Sequence, residues 1–149
     1  MAPIQLGKEV WKSGDPCFDI HGNALVTDHA FFNSDAFISN QILHLSAVRN
    51  VHMVKYRDTA NPDSDFVFLN THLHHPIDEE DNYVRALQVE HILFWISRQT
   101  KETDKVFLMG DFNAQPNSVA YNHCIAAGFK SAFKEVNGQE PEITFPTGL

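Results

Sequence analysis

At 149 residues, 43% of them hydrophobic and 12 of them Phe, the chain is one domain's worth of protein with a substantial apolar core. No apolar run approaches the length of a membrane span. Met1 to Lys8 lacks the basic-then-apolar layout of a secretory leader, so a cytoplasmic location is expected if Met1 is the true start. Eleven Lys and Arg against 19 Asp and Glu give a net charge of −8, which excludes a protein that depends on a broad electrostatic grip on duplex nucleic acid. Cys17 and Cys124 show no CxxC spacing and read as two small apolar side chains.

Residues 1–15, broken by Pro3, Gly7 and Gly14, read as a tail or loop. His21 to Thr27 is a short candidate strand. Gln41 to Ala47 and Asn50 to Tyr56 alternate as strands with one buried face. Asp58 to Asp65 is dense in turn formers, so the strand before it and the one starting at Phe66 form an antiparallel pair. Phe66 to Leu69 is apolar on both faces, the pattern of a strand covered on both sides. Pro76 to Asn82 is an acidic loop, which suits the positive end of a following helix. Tyr83 to Gln99 has no Gly or Pro and reads as that helix. Its inward face carries Arg85, Gln88, Ile92, Trp95, Ile96 and Gln99, with Val84, Leu87 and Leu93 nearby. Lys105 to Met109 is a further strand. Ser118 or Asn117 caps a helix that runs to about Ala127 and stops at Gly128. Ile143 to Leu149 reads as a strand and turn.

Strand, helix, strand over residues 66–109 is a βαβ unit, whose two strands run parallel and pair through a crossover. The ends of those strands then emerge at one edge of one sheet, where open α/β sheets place their sites. That edge carries Asn70, Thr71 and His72 from the first strand and Gly110, Asp111 and Asn113 from the second. Extended alternation puts Asp111 and Asn113 on one side, where a carboxylate and an amide can hold a water and the oxygens of a phosphate. The competing reading is a loop in which the two only make turn hydrogen bonds. His72 can act as a general acid near neutral pH. Arg85 and Gln88, polar on an inward face, need partners and are expected to tie the helix to loops around the site. His72 and His74 also invite a zinc hydrolase, since H-x-H ligands share a strand face; the Asp-His that follows in the metallo-β-lactamase pattern is here Pro76 and Ile77.

Asn70-Thr71-His72-Leu73, then Arg85-x-x-Gln88, then Gly110-Asp111-Phe112-Asn113-x-x-Pro116-x-Ser118-x-x-Tyr121 is similar in order, spacing and residue type to the endonuclease/exonuclease/phosphatase superfamily. That superfamily takes in deoxyribonuclease-I-like nucleases, abasic-site endonucleases, inositol polyphosphate phosphatases and neutral sphingomyelinases. The resemblance spans about residues 20 to 149, and Gly22 to Leu25 looks like the family's early strand. It implies an α/β protein, part of a four-layer sandwich of two mixed β-sheets flanked by helices. It also implies a phosphoester hydrolase dependent on Mg²⁺ or Mn²⁺. Carried over position by position, His72 assists the leaving group or transition state, and Asp111 and Asn113 orient the water and the phosphate. Asn70, Arg85 and Gln88 support them, and Asp111 also contacts the metal. The substrate would be a nucleic acid, nucleotide, inositol phosphate or lipid head group, with a small phosphoester favoured by the acidic charge; no obligate protein partner is identifiable.

Two departures shape the expectation. The family's early Asn and its metal-binding Glu have no counterpart around Glu9, Asp15 and Asp19, and no Ser-Asp-His segment follows Asn113. Residues 16–149 are therefore expected to form an incomplete domain lacking its N-terminal and C-terminal segments. Truncation can leave this chain inactive, with weak Mg²⁺ binding. The alternative is a non-catalytic interaction protein that keeps the scaffold.

Overall fold

The computed structural model describes residues 35–75, 80–142 and 144. Among them, four strands form one mixed sheet in the order β1 (Phe37–His44), β2 (Asn50–Arg57), β3 (Asp65–His72) and β4 (Lys105–Asp111). The β1–β2 and β2–β3 pairs are antiparallel, and β3–β4 is parallel. Helix α1 (Asp81–Gln99) makes the crossover. Two shorter helices follow, α2 (Val119–Ala126) and α3 (Ala132–Asn137). The class is α/β, as expected; of the two sheets expected, one is seen among the described residues. The candidate strand at 21–27, the tail at 1–15, Cys17, the first part of the acidic loop at 76–79 and nearly all of 143–149 lie outside them.

The core lies between α1 and one face of the sheet. Val51, Met53, Val67, Leu69 and Leu73 meet Val89, Ile92 and Ile96 there, with Ala120 of α2 closing one side. The inward face is the expected one, with Arg85, Gln88, Ile92 and Ile96 buried and Trp95 and Gln99 half-buried; of its expected flanks Val84 and Leu87 are exposed, while Ala86 and Val89 are buried. The physical reason is the width of the stripe. Arg85, Val89, Ile92 and Ile96 already fill an arc of one helix face, and Leu87 falls on the other side. Helix α2 is capped as anticipated, the Ser118 hydroxyl accepting the Tyr121 N–H at 3.3 Å.

The other face of the sheet corrects the expectation for β3. Val67 and Leu69 point to α1 and are buried, but Phe66 and Phe68 point away and are only half-buried. On that face Phe66, Phe68 and Phe107 stack, with ring centroids 5.1 to 6.5 Å apart. Tyr56 meets Phe68 edge-on and Phe37 meets Tyr56. Among the described residues this strand is therefore covered by a helix on one side only, and the aromatic rings shield one another on the second.

At the end of the sheet away from the strand carboxyl termini, an ion network pins α1 to the strands. The Lys55 ammonium lies 3.1 Å from Asp104 and 3.5 Å from Asp65, and donates to the Gln99 carbonyl at the helix end. Asp104 is closed to solvent and accepts the backbone N–H groups of Lys101 and Asp65. Desolvation pushes its carboxyl up, but those N–H groups and Lys55 together hold it below the ordinary range. A depressed folded value means stability that is present above the unfolded value and lost as pH falls through the folded one. Asp104→Asn is expected to cost about 1–3 kcal/mol at pH 7. Melting curves from pH 6 to pH 2 should show the wild type losing this increment in acid while the variant has none to lose. A variant as stable as the wild type at pH 7 would mean that the network is idle.

Candidate active site

The parallel register of β3 and β4 sets the geometry. Asn70 pairs with Met109, Thr71 with Gly110 and His72 with Asp111. The next backbone bond continues the ladder, the Leu73 N–H donating to the Asp111 carbonyl at 2.9 Å. His72 Nε2 lies 3.8 Å from Asp111 Oδ2, with both side chains open to solvent in part. On the other side of β3, Val51 of β2 pairs with Thr71. The same antiparallel register carried one residue further sets Asn50 beside His72, and the Thr71 hydroxyl donates to the Asn50 carbonyl at 3.0 Å. The row Asn50, His72, Asp111 therefore crosses three strands at the carboxyl end of the parallel pair, strands being about 4.8 Å apart.

Asn113 joins this edge by a turn and not by alternation. β4 ends at Asp111, and Asn113 adopts φ 48°, the left-handed region that Asn tolerates better than most residues. Its N–H donates to Asp111 Oδ1 at 2.9 Å, an Asx-type turn, and its side-chain amide donates to the Leu73 carbonyl at 3.0 Å. The turn hydrogen bonds of the competing reading are thus present, and they are also what brings Asn113 against the end of β3. Gly110 serves the same approach. Its φ is +129°, and a Cβ there would sit 1.9 Å from the Thr71 carbonyl oxygen and 2.9 Å from Asn70 Oδ1. The strand runs on for one residue beyond it, so Gly110 permits close packing of the two strand ends.

Arg85 and Gln88 reach the same segment from α1. Gln88 Oε1 accepts the His74 N–H at 2.9 Å. Arg85 donates to the His74 carbonyl at 3.5 Å and to Asn82 Oδ1 at 2.6 Å. The His74 ring, in turn, places Nε2 2.8 Å from Asp81 Oδ1. His74 is therefore beyond the end of β3 and committed to the helix, which removes it from an H-x-H pair with His72. Among the described residues no group of three or more His, Cys, Asp or Glu could hold a metal ion. Asp111 is the one carboxylate in the row, so the donor set present does not by itself fit Mg²⁺, which binds through carboxylates together with substrate phosphates.

Sequence reading passed over two residues at this end. Arg49 stands immediately before Asn50, is 8% exposed, and has Nε and Nη1 buried without a hydrogen-bond partner among the described residues. A lone Arg at the start of a strand in an acidic chain was the only signal available. His52, opposite Asn70 on the open sheet face, is buried with Nε2 2.7 Å from Asn40 Oδ1. Burial pushes its pKa down, which keeps it a neutral packing group beneath the row. Cys124 is a free thiol that desolvation raises to about 11, consistent with an inert side chain.

No protein-family model matches the chain, and no curated protein does. Among solved structures it is similar to a humanized TDP2 of D. rerio carrying 14 mutations (17% identity, TM-score 0.48, covering 70% of this chain and 41% of that one). It is also similar to TDP2 from C. elegans (22%, TM-score 0.44, 58% of this chain and 27% of that one). A third is beta toxin 275-280 from Staphylococcus aureus (15%, TM-score 0.44, 54% and 29%). The chain spans less than half the length of each of these structures. No helix of the described residues is long and apolar enough to cross a membrane.

Proposed function

We propose that this chain is the central part of a metal-dependent phosphoester hydrolase, with His72, Asp111 and Asn113 at its reaction centre. The observation that supports this reading most is the pairing of His72 with Asp111 at the carboxyl end of the only parallel strand pair among the described residues, side chains 3.8 Å apart. In this reading Asp111 orients the attacking water and Asn113 the phosphate. His72 stabilises the charge that develops as the ester bond breaks, as a polar group held in place by the fold can. Gln88 and Arg85 hold the segment after His72 in place through the His74 backbone. A bound Mg²⁺ or Mn²⁺ would supply Lewis-acid polarisation of the phosphoryl oxygen. The acidic charge favours a small phosphoester over duplex nucleic acid. The direct test is release of p-nitrophenolate from bis(p-nitrophenyl) phosphate with and without Mg²⁺ or Mn²⁺. Metal-stimulated turnover is the expected result for the protein carrying the complete domain. Its absence there would favour the non-catalytic scaffold.

Arg49 gives a second handle on the same site. A buried guanidinium with two N–H-bearing nitrogens unpartnered among the described residues is destabilising, and replacing such a charge by an apolar side chain is often stabilising by about 1–4 kcal/mol. If its uncommitted N–H groups serve a substrate phosphate, Arg49→Met should melt higher than the wild type in phosphate-free buffer and lose the stabilisation that added inorganic phosphate gives the wild type. A variant that melts lower without phosphate, or that phosphate still stabilises fully, would make Arg49 a structural residue.

A further inference from the structure

Asn137 is the only Asn in the sequence that is followed by Gly, and the two residues form the end of α3. That pairing carries a chemistry of its own. With no side chain on the following residue, its backbone nitrogen can reach the carbonyl carbon of the Asn side chain. Asn137 Cγ then gains a bond to the Gly138 nitrogen and its bond to Nδ2 breaks. The departing nitrogen leaves as ammonia, with the proton that the Gly138 N–H gives up. Water opens the resulting five-membered succinimide at either carbonyl, leaving aspartate or isoaspartate.

In the folded chain both reacting groups are held. The Gly138 N–H donates to the Lys134 carbonyl at 2.8 Å, and the Asn137 side-chain amide donates to the Phe133 carbonyl at 2.8 Å. Those bonds last only as long as α3 does, and little secures it. None of its six residues is buried, and Phe133 and Val136 are 49 and 83% exposed. Few buried contacts are the condition of a segment that opens locally. Its fastening is Ser131, whose hydroxyl accepts the Lys134 N–H at 3.3 Å and donates to Glu140 Oε2 at 2.8 Å. Glu140 Oε1 in turn accepts the Tyr121 hydroxyl of α2 at 2.5 Å. We propose that Asn137 is a site of spontaneous deamidation, gated by the opening of α3. The product makes the gate one-way. Its carboxylate lies at the negative end of the helix dipole and has no N–H to offer the Phe133 carbonyl.

Peptide mapping by mass spectrometry tests this on the 149-residue chain, aged in neutral and in mildly alkaline buffer. Acid should replace the Asn137 amide, faster at the higher pH, and Asn137→Gln should abolish the conversion. The native chain should react more slowly than the same chain in urea. Ser131→Ala should speed the native reaction about fivefold, the shift in opening that a lost helix cap corresponds to. Glu140→Ala should speed it too, and both variants should melt as the wild type does, because α3 lies outside the core. Asp104→Asn, which weakens the ion network of the sheet instead, is the control. Asn137 still intact when the chain in urea has reacted, or a native rate equal to that in urea, would overturn the proposal. So would a rate raised as much by Asp104→Asn as by Ser131→Ala, since the gate would then be unfolding of the whole molecule.

Discussion

Gly110→Ala is expected to destabilise the protein by about 3–5 kcal/mol, the sum of a strained backbone and an overpacked contact. The new Cβ would meet the Thr71 carbonyl oxygen at 1.9 Å. That oxygen belongs to the neighbouring strand, so relief requires the β3–β4 pair to move apart just where His72 and Asp111 face each other. The loss is a large share of the roughly 5–15 kcal/mol typical of a folded domain. Gly128 provides the control: it also has positive φ, +93°, but a Cβ there would meet nothing within 4 Å. Gly128→Ala should therefore cost only the backbone strain, about 1–2 kcal/mol. Urea unfolding of both variants separates the two contributions. Equal losses would show that the close approach at Gly110 carries no weight.

On the proposed function, His72→Ala and Asp111→Asn, made in a form of the protein that shows the hydrolysis, are each expected to lower kcat by about 10²–10⁴-fold, with KM within a few-fold of the wild type. The reasoning is the geometry of the row. Both side chains are partly open to solvent, and neither belongs to the apolar core, so their removal should leave the fold intact. Asp111→Asn keeps an oxygen able to accept the Asn113 N–H, so it removes charge more than shape. Steady-state kinetics with a melting curve for each variant is the measurement. A variant with near-normal kcat would return that residue to a structural role.

The βαβ crossover was legible in the sequence because residues 83–99 lack any breaker and are flanked by two apolar runs, and a crossover of that length leaves the strands no choice but to run parallel. The placement of His72 and Asp111 at one edge of the sheet follows from that; their pairing rests on the register of β3 and β4. Other features depend on tertiary burial, which local pattern does not encode. Leu87 looked like a core residue by its chemistry, yet it faces solvent, since the choice of inward arc rests on which side chains fill the space above Met53 and Leu69. Arg49 and His52 became notable only once their surroundings were known. The αL backbone of Asn113 could have been anticipated, because Asn is the residue that most readily takes it after Gly; reading the segment as continuously extended hid it.

The parallel pair has one more consequence, for the order in which the molecule is put together. β1, β2 and β3 are joined by short antiparallel connections, whereas His72 and Asp111 meet only after the chain between them has closed on itself through α1. Closing that long loop costs entropy before any contact across it rewards the closure. A chain in which the hairpins have formed and the crossover has not docked would bury much of β2 and hold most of its local hydrogen bonds, yet have no row of polar side chains at its edge. Recovery of secondary structure on refolding should therefore run ahead of recovery of the site, and the Leu73 N–H, bonded to the Asp111 carbonyl, is the amide whose protection from exchange would time the difference.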